Sequence, residues 1–558
     1  MQINDEDLKK IESEIDNYMF NRLNKNIPRY KFIYHMNLAY INFVTQSKIL
    51  FTVAEKHFLF SLSYNTFLAY KKLPEEEDIK FELDNKLLDY CFHFLISGMQ
   101  YSILCDLFPA LHSKKAVAII GDNSNAISIE EDSLPRKQYD FLTKYTIKKA
   151  LSYTLQMISG KLDNRPEEEV VSHLTKSYLN FWNENMLYDD FEPYSRTDWG
   201  GINYFFTSAS MRRFIKLYRK DFKISQYDLS KMMIVISPKG VDKLVNYTLS
   251  EDKEAVDSVL NDFIYKPLGK GLFPKTNISD APIIRTKNGY LFMNPLVLLF
   301  NDSSETRLLN NLRKYDNERH QRIKDKLKER TIPIIEELVK IKYPKAKIIT
   351  NFKLPIPGKK NQDRELDILI IDDDIGLALY IEVKHFFNPV SYSETKNLDG
   401  QLQNALEKTK DQLYAIEKNW GLIKQRYDIK NTIREKKAII LSHQYLGKDI
   451  KIHNTVPIVN VSTFYESLAS AETINDLYFH NKEIDDIYNS IELIKEKINF
   501  NFAGYDFIVE LEALNPLFER QFIHSFRNSV WRDINFENKP YKNIEEYAQA
   551  LLERLNND

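Results

Sequence analysis

The sequence predicts a mixed protein of the α+β or α/β class, with a mostly helical first half, a segment ordered helix, three strands, helix, strand, and a helical C-terminal tail. Two patterns indicate this. Apolar residues recur at helical spacing over 41–70 and 87–108, which is typical of packed helices. Short runs rich in Ile, Leu and Val, bounded by turn residues, lie between 345 and 461, which is typical of buried strands. We therefore expect the main sheet in the second half of the chain.

A chain of 558 residues is too long for one hydrophobic core, so several domains are expected. Changes in sequence character predict a helical region (1–120), a mixed region with a β-hairpin around Asn288-Gly289 (121–303), a helix-and-strand region (304–470) and a helical tail (471–558). The many Phe and Tyr residues of the first region follow its helical stripe, which indicates core packing rather than base stacking. We expect the helical regions to serve regulation, or assembly with a second copy or a partner protein.

Composition narrows the environment of the protein. The net charge of −2 gives no global basic field, so nucleic acid would have to bind through a local patch. Cys91 and Cys105 lie in an apolar stretch and are expected to be buried free thiols in a reducing compartment. That stretch, 90–105, is short and contains His93 and Gln100, so we expect a buried helix rather than a membrane span. The start of the chain is acidic and lacks the apolar core of a signal peptide, which favours a cytoplasmic protein with no membrane partner.

The region 304–470 has a distinct order of predicted elements. A basic helical run with a break at Pro333 comes first, followed by a strand, a loop and a β-hairpin whose turn is 372–376. A helix follows, with an apolar stripe from Leu402 to Trp420 at steps of three or four residues. Strands and a short helix complete the region. The predicted bounds are 305–342, 345–352, 366–371, 377–383, 398–427, 438–442, 456–461 and 463–470.

Three charged residues stand out in this hairpin. Asp367 lies near the start of the first strand, and Glu382 and Lys384 lie at the end of the second. Side chains alternate between faces along a strand, so Glu382 and Lys384 point the same way, and folding the hairpin brings Asp367 beside Glu382. Two carboxylates and an ammonium would then meet at one end of an apolar sheet. Buried carboxylates repel each other, and a divalent metal such as Mg²⁺ removes that cost.

The spacing resembles a known signature. Asp367, followed after fourteen residues by Glu382-Val383-Lys384, resembles the D…(D/E)xK motif of the PD-(D/E)XK nuclease superfamily, and the predicted element order resembles its αβββαβ restriction-endonuclease-like core. Leu366 stands where the family name has Pro. The resemblance implies that Asp367 and Glu382 hold Mg²⁺ or Mn²⁺, assisted by the Val383 carbonyl. It also implies that Lys384 orients the attacking water or steadies the phosphate.

The resemblance further implies accessory groups on two helices. In this family an acidic residue on the first helix often completes the metal site. Glu318, Glu329 and Glu336 qualify here, and Glu329 and Glu336 share a helix face. The later helix of the family often carries a Gln or Lys that faces the site. Gln401, Lys408 and Gln412 lie beside the apolar stripe of that helix and are the candidates here.

Charged residues near the hairpin add further candidates. Glu365, two residues before Asp367, either joins the site or faces solvent at the end of its strand. Lys359 and Lys360 lie on the loop that leads into the site strand, and we expect them to bind nucleic acid through its phosphates. Basic residues of the first helix, such as Arg319, either track a phosphate backbone or form the solvated face of the helix.

Together these observations predict a metal-dependent nuclease that hydrolyses phosphodiester bonds in nucleic acid, with DNA favoured. Large chains that join such a core to an unfamiliar helical front half resemble restriction or anti-phage defence effectors. Two alternatives stay open: a catalytically silent nucleic-acid-binding or scaffolding protein with a degenerate nuclease fold, and an RNA-directed nuclease with the same site. The intact set of Asp367, Glu382 and Lys384 argues against the silent alternative, because charges clustered at apolar strand ends are costly unless a metal or substrate compensates them.

Overall fold

The chain divides into two compact units in a computed structural model. Unit 1 comprises residues 1–134, 144–323 and 495–513, and unit 2 comprises residues 135–143, 324–494 and 514–558. The structure describes residues 3–47, 53–77, 79–114, 116–120, 126–131, 166–182, 191–220, 223–248, 252–270, 273–299, 304–355, 363–386, 392–442, 456–489 and 493–514.

Unit 1 is mostly helical, as the sequence predicts. Its first helix begins after Asn4, whose side chain accepts hydrogen bonds from the N–H groups of Glu6 and Asp7 and so caps the helix. A 3₁₀ turn at Lys243–Tyr247 accompanies the α-helices. The helices are α1 (Asp5–Asn21), α2 (Arg29–Ser47), α3 (Val53–Lys72), α4 (Asn85–His112), α5 (Glu167–Trp182), α6 (Arg196–Arg219), α7 (Gln226–Ser230), α8 (Pro238–Asp242), α9 (Lys253–Phe263), α10 (Pro295–Leu299) and α11 (Ser304–Tyr315).

Aromatic side chains fill the core between α2, α3 and α4. Phe32 and Phe94 meet edge to face with ring centroids 5.9 Å apart, and the rings of Tyr64 and Tyr101 lie 4.8 Å apart. All four side chains are buried. The prediction that these aromatic residues belong to a core is therefore confirmed.

Helix α4 is the most apolar of the long helices. It is long and apolar enough to cross a membrane by length and composition, and 67% of its apolar window is buried within the protein. Cys91 and Cys105 both lie on α4 and are free thiols, as predicted, but Cys91 is buried whereas Cys105 is half-buried. Burial raises the pKa of both thiols well above its ordinary value.

Small sheets accompany these helices in the described part of unit 1. A four-stranded sheet has the order β1-β2-β14-β13, in which β1 and β2 are antiparallel and β2 and β14 are parallel. The predicted hairpin around Asn288-Gly289 is confirmed as β6 and β7, and β3 extends it to three strands. The strands are β1 (Ala116–Ile120), β2 (Ala126–Glu131), β3 (Ile234–Ile236), β4 (Gly269–Lys270), β5 (Phe273–Pro274), β6 (Ile283–Arg285), β7 (Leu291–Met293), β13 (Leu493–Phe502) and β14 (Tyr505–Leu514).

The prediction of a helical C-terminal tail is wrong for residues 493–514, which form β13 and β14. The sequence alternates apolar and polar residues there, which is the period of a strand. Ala503 and Gly504 adopt positive φ values of 54° and 85°, as a tight hairpin turn requires. Alternate side chains such as Phe507 and Val509 are buried. The predicted tail from residue 515 onward lies outside the described residues.

Charged groups enter the interior of unit 1 around α11. Glu305 is 3% exposed, its Oε1 lies 3.5 Å from Nη2 of Arg196, and neither of its carboxylate oxygens accepts a hydrogen bond. Burial raises the pKa of Glu305 to about 7, against a smaller lowering by Arg196. Arg319 pairs with Asp262 at 2.8 Å and donates to the carbonyl of Phe191, so it is a buried structural charge and not a phosphate contact.

Replacing Glu305 with Gln should flatten the pH dependence of stability. The folded pKa of Glu305 lies above the ordinary value of 4.5, so its contribution to stability is present below pH 4.5 and is lost as the pH rises through 7. The loss amounts to about 3 kcal/mol at most. Urea denaturation at pH 5 and pH 8 should show the wild type weakening relative to Glu305→Gln. The exposed Glu254 gives the control change Glu254→Gln, and equal pH slopes in all three proteins would contradict the assignment.

Unit 2 contains a five-stranded sheet and its helices. Helix α12 begins in unit 1 and continues into unit 2, and a break at Asn419 divides the predicted later helix into α13 and α14. The order helix, three strands, helix, strand predicted from the sequence is otherwise followed. The elements are α12 (Asn317–Lys342), β8 (Lys347–Pro355), β9 (Asp363–Asp372), β10 (Leu377–Lys384), α13 (Tyr392–Lys418), α14 (Trp420–Arg426), β11 (Glu435–Ser442), β12 (Ile458–Asn460), α15 (Val461–Ser470) and α16 (Ile474–Asn489).

The sheet of unit 2 is mixed, with the order β12-β11-β10-β9-β8. Strand β9 is antiparallel to both β8 and β10, as in a meander, whereas β10, β11 and β12 run parallel to one another. Gly376 closes the predicted turn between β9 and β10 with φ of 67°, and a Cβ there would lie 2.7 Å from the carbonyl oxygen of Thr432. The turn therefore requires glycine.

Helices cover both faces of this sheet. On one face, α12, α15 and α16 pack in a cluster that includes Ile335 and Leu379. On the other face, α13 and α14 pack in a cluster that includes Leu402 and Tyr380. Neighbouring residues of β10 therefore face opposite helical layers, as the alternation of a strand requires.

The predicted break at Pro333 is wrong, because α12 runs without interruption from Asn317 to Lys342. A proline within a helix removes one backbone hydrogen bond and normally costs about 3 kcal/mol. Ile332, Ile335 and Val339 on the same helix are buried against the sheet. Their burial offsets the cost of the proline, and tertiary packing overrides the local preference.

Candidate active site

The regular pairing of β9 is interrupted on both sides at Asp367. Its pairing with β10 ends at the pair of Ile368 and Ile381, and the next residues along the two strands are Asp367 and Glu382. On the other side, β8 pairs with the residues before and after Asp367 but not with Asp367 itself. Asn351, the β8 residue opposite, has φ of 49° and leaves the extended conformation there. Asp367 thus lies where the regular ladder of the sheet is interrupted.

Hydrogen bonds bring the two carboxylates into one cluster on the α13 side of the sheet. Asp367 and Glu382 are only 2% and 3% exposed. Asp367 Oδ2 accepts a hydrogen bond of 2.8 Å from the N–H of Val383, which joins β9 to β10 beyond the end of their ladder. Glu382 Oε2 accepts from Gln412 Nε2 at 3.2 Å and from the hydroxyl of Tyr380. Both carboxylates act on the Tyr380 hydroxyl, so Asp367 and Glu382 lie near the same side chain.

Lys384 supplies a positive charge to this cluster. Its Nζ forms an ion pair with Glu382 Oε1, and its side chain is 30% exposed while that of Glu382 is 4% exposed. Lys324, on the part of α12 that belongs to unit 2, lies close enough for Lys384 to lower its pKa, although burial is the larger cause of that lowering. The structure therefore gathers two carboxylates and an ammonium at one end of an apolar sheet.

Tyr380 is a site residue that the sequence analysis missed. It lies two residues before Glu382 on the same strand face and is fully buried. Burial raises the pKa of Tyr380 well above its ordinary value, and the carboxylates of Glu382 and Asp367 raise it further, against a lowering by a hydrogen bond from the Asp367 backbone. The tyrosine hydroxyl therefore stays protonated and donates to Glu382. The sequence contains a signal for this role, because Tyr380, Glu382 and Lys384 are spaced two residues apart and therefore share one face of the strand.

The candidates on α13 and β9 have different outcomes. Gln412 is buried at the site, and its Nε2 donates both to Glu382 and, at 3.0 Å, to the backbone carbonyl of Glu365. The side chain of Glu365 is exposed, so the solvent position allowed by the sequence is the one observed. Gln401 and Lys408 are also exposed, and the structure shows no contact between either of them and the cluster. Among the α13 candidates, Gln412 is the residue that joins the site.

The acidic candidates of α12 do not join the carboxylate cluster. Glu336 accepts a hydrogen bond of 3.0 Å from Thr350 and pairs with Lys340 at 2.6 Å, and α12 packs on the sheet face opposite α13. Glu329 is exposed. The structure brings neither Glu336 nor Glu329 to the carboxylates, and their accessory role stays a prediction. Lys359 and Lys360 lie outside the described residues.

The donor set fits a small divalent cation such as Mg²⁺ or Mn²⁺. Mg²⁺ is usually held by one or two carboxylates and keeps several waters, and Asp367 and Glu382 can supply those carboxylates. No group of three or more His, Cys, Asp or Glu side chains suited to a metal occurs in the described part of the chain, so a cage made only of protein ligands is not seen there. Gln412 Oε1 is buried and has no hydrogen-bond partner, and a metal-bound water would satisfy it. The Val383 carbonyl remains a predicted ligand.

Comparison with known proteins does not supply a relative for this geometry. No family model matches the chain, no curated protein matches it, and no solved structure matches it.

Replacing Tyr380 with Phe should destabilise unit 2. The change removes the hydroxyl that donates to Glu382, and a hydrogen bond to a charged group contributes about 1.5–3 kcal/mol. Hydrogen exchange of the β10 amides measures that loss. Tyr465→Phe is the matched control, since the Tyr465 hydroxyl is buried without a hydrogen-bond partner. An equal loss in both variants would show that the Tyr380 hydroxyl makes no special contribution.

Proposed function

We propose that this protein is a metal-dependent nuclease that hydrolyses phosphodiester bonds in nucleic acid, with DNA as the favoured substrate. The observation that carries the proposal is the buried pair of carboxylates, Asp367 and Glu382, gathered beside Lys384 where the ladder of β9 is interrupted. The element order from α12 to β11 supports a restriction-endonuclease-like core. The spacing of the three residues resembles the D…(D/E)xK motif of that superfamily.

The cost of the cluster argues that it is used. Two nearly buried carboxylates repel each other and lose hydration, in a sheet whose two faces are packed with hydrophobic side chains. A stable fold alone would be better served by apolar residues at these two positions. Hydrogen bonds from Val383, Tyr380 and Gln412 hold the carboxylates in fixed orientations, which is the preorganisation that a metal or phosphate site requires.

Each residue has a distinct task in this proposal. A divalent metal held by Asp367 and Glu382 would lower the pKa of a bound water and shield the charge of the phosphate. Tyr380 and Gln412 fix the carboxylate of Glu382, and the Val383 N–H fixes that of Asp367. Lys384 reaches from the buried cluster towards solvent, where it can hold a phosphate oxygen or orient the attacking water.

The helical regions of unit 1 are proposed to regulate the nuclease or to mediate assembly, as in a restriction or anti-phage defence effector. The buried ion pairs around α11 lie in the interior of unit 1. An RNA-directed nuclease would use the same residues and differ only in the nucleic acid it accepts.

Cleavage of plasmid DNA, single-stranded DNA and RNA by the purified full chain tests the proposal. With Mg²⁺ or Mn²⁺ the wild type should cut, and Asp367→Asn and Lys384→Ala should each reduce the rate by about a hundredfold or more, because each removes charge from the reacting centre. Lys340→Ala, which breaks the ion pair with Glu336, is the control and should cut normally. Cutting that persists unchanged in the two site variants would refute the assignment of this site.

Calorimetry separates the nuclease from the silent binding or scaffolding protein. A nuclease site should bind Mn²⁺, and Glu382→Ala should abolish the heat of binding while the protein stays folded by circular dichroism. A wild type that binds nucleic acid but gives no heat with Mn²⁺ would favour the silent alternative.

A further inference from the structure

Both oxygens of the Glu382 carboxylate have protein partners in this structure. Oε2 accepts from Tyr380 and Gln412, and Oε1 carries the ion pair with Lys384. A metal ion that binds Glu382 therefore has to displace a partner of Oε2 or share Oε1 with the Lys384 ammonium, which repels a second cation.

The three partners of Glu382 differ in burial. Tyr380 is fully buried in the central strand, and Gln412 is 5% exposed on α13 with its Nε2 also bound to the Glu365 carbonyl. Lys384 has a long side chain that is 30% exposed. An ammonium on a flexible stem regains hydration when it moves out, whereas a buried tyrosine or glutamine does not. Lys384 is the partner that can leave at the lowest cost.

We propose that Lys384 is a built-in counter-ion for the metal-free site, and that a divalent cation displaces its ammonium from Glu382 Oε1. This inference rests on the proposed metal-dependent function. In the metal-free protein the ammonium offsets the cost of burying Glu382. When a cation takes over that oxygen, Lys384 is released towards solvent, the side from which a phosphate would arrive. The binding of the metal would therefore also free the Lys384 side chain to contact the substrate.

The exchange predicts opposite effects of removing Lys384 on metal binding and on metal-free stability. Lys384→Met keeps the length of the stem but removes the charge, so a cation no longer has a competitor for Oε1. The variant should bind Mn²⁺ about tenfold more tightly than the wild type, since a partly buried ion pair need not be broken first. Without metal the variant should melt at a lower temperature than the wild type, and Mn²⁺ should raise its melting temperature by more.

Two control variants isolate the contact. Lys340→Met removes an ion pair with Glu336 away from the carboxylate cluster. Lys324→Met removes a positive charge that lies near Lys384. Mn²⁺ affinity by calorimetry should stay within about threefold of the wild type in both controls. Equal tightening in Lys324→Met and Lys384→Met would overturn the proposal, because general repulsion by nearby positive charge would then explain the effect.

A measurement on the wild type covers the case in which Lys384→Met fails to fold. An amine-acylating reagent should modify Lys384 several-fold faster with Mn²⁺ than without it, since the released ammonium becomes accessible. Peptide mass spectrometry measures the rate, with Lys340 of the same protein as the internal reference. Labelling of Lys384 that is unchanged by Mn²⁺ concentrations sufficient for binding would overturn the exchange.

The results distinguish this proposal from the nuclease proposal. Metal-dependent cutting by the wild type, combined with unchanged or weaker Mn²⁺ binding by Lys384→Met, would sink the exchange and leave the nuclease standing. No Mn²⁺ binding by the wild type or by Lys384→Met would overturn both the exchange and the proposed metal dependence. Tighter binding by Lys384→Met with a lower metal-free melting temperature supports the exchange.

Discussion

The burial of two like charges is the constraint on which the candidate site depends. Asp367 and Glu382 lie in a sheet covered on both faces by helices, and their carboxylates are almost out of contact with solvent. Such a pair is tolerated only where donors and a positive charge compensate it. Val383 supplies a backbone donor, and Lys384 supplies the charge. The end of the β9–β10 ladder makes this arrangement possible. Beyond it, the N–H of Val383 donates to the carboxylate of Asp367 instead of to a backbone carbonyl of β9.

Much of unit 2 could be predicted from the sequence because its elements carry strong local signals. The apolar runs of β9 and β10, joined by a turn that ends in Gly376, specify a hairpin whose register follows from alternation alone. That register was sufficient to predict that Asp367 lies beside Glu382. Gln412 was among the predicted candidates because it lies beside the buried stripe of its helix. Each of these inferences needed only the period of a strand or a helix.

The rest depended on tertiary contacts that periodicity does not encode. Tyr380 looks like any core aromatic residue until the hydrogen bond of its hydroxyl to Glu382 is seen. Glu336 is an acidic residue on the first helix, where the family often has a metal ligand, but in the structure it accepts a hydrogen bond from Thr350. Pro333 would end an isolated helix, yet burial on the sheet keeps α12 continuous. The strands β13 and β14 are a different case, since their alternation was readable and was overlooked.

Anomalous diffraction from crystals of the wild-type protein grown with Mn²⁺ tests the central claim most directly. The signal locates a bound manganese ion without any assumption about catalysis. We expect an anomalous peak in contact with Asp367 and Glu382, with the Lys384 ammonium moved away from Glu382. A saturating Mn²⁺ concentration that gives no peak at these carboxylates would contradict the assignment of a metal-dependent site.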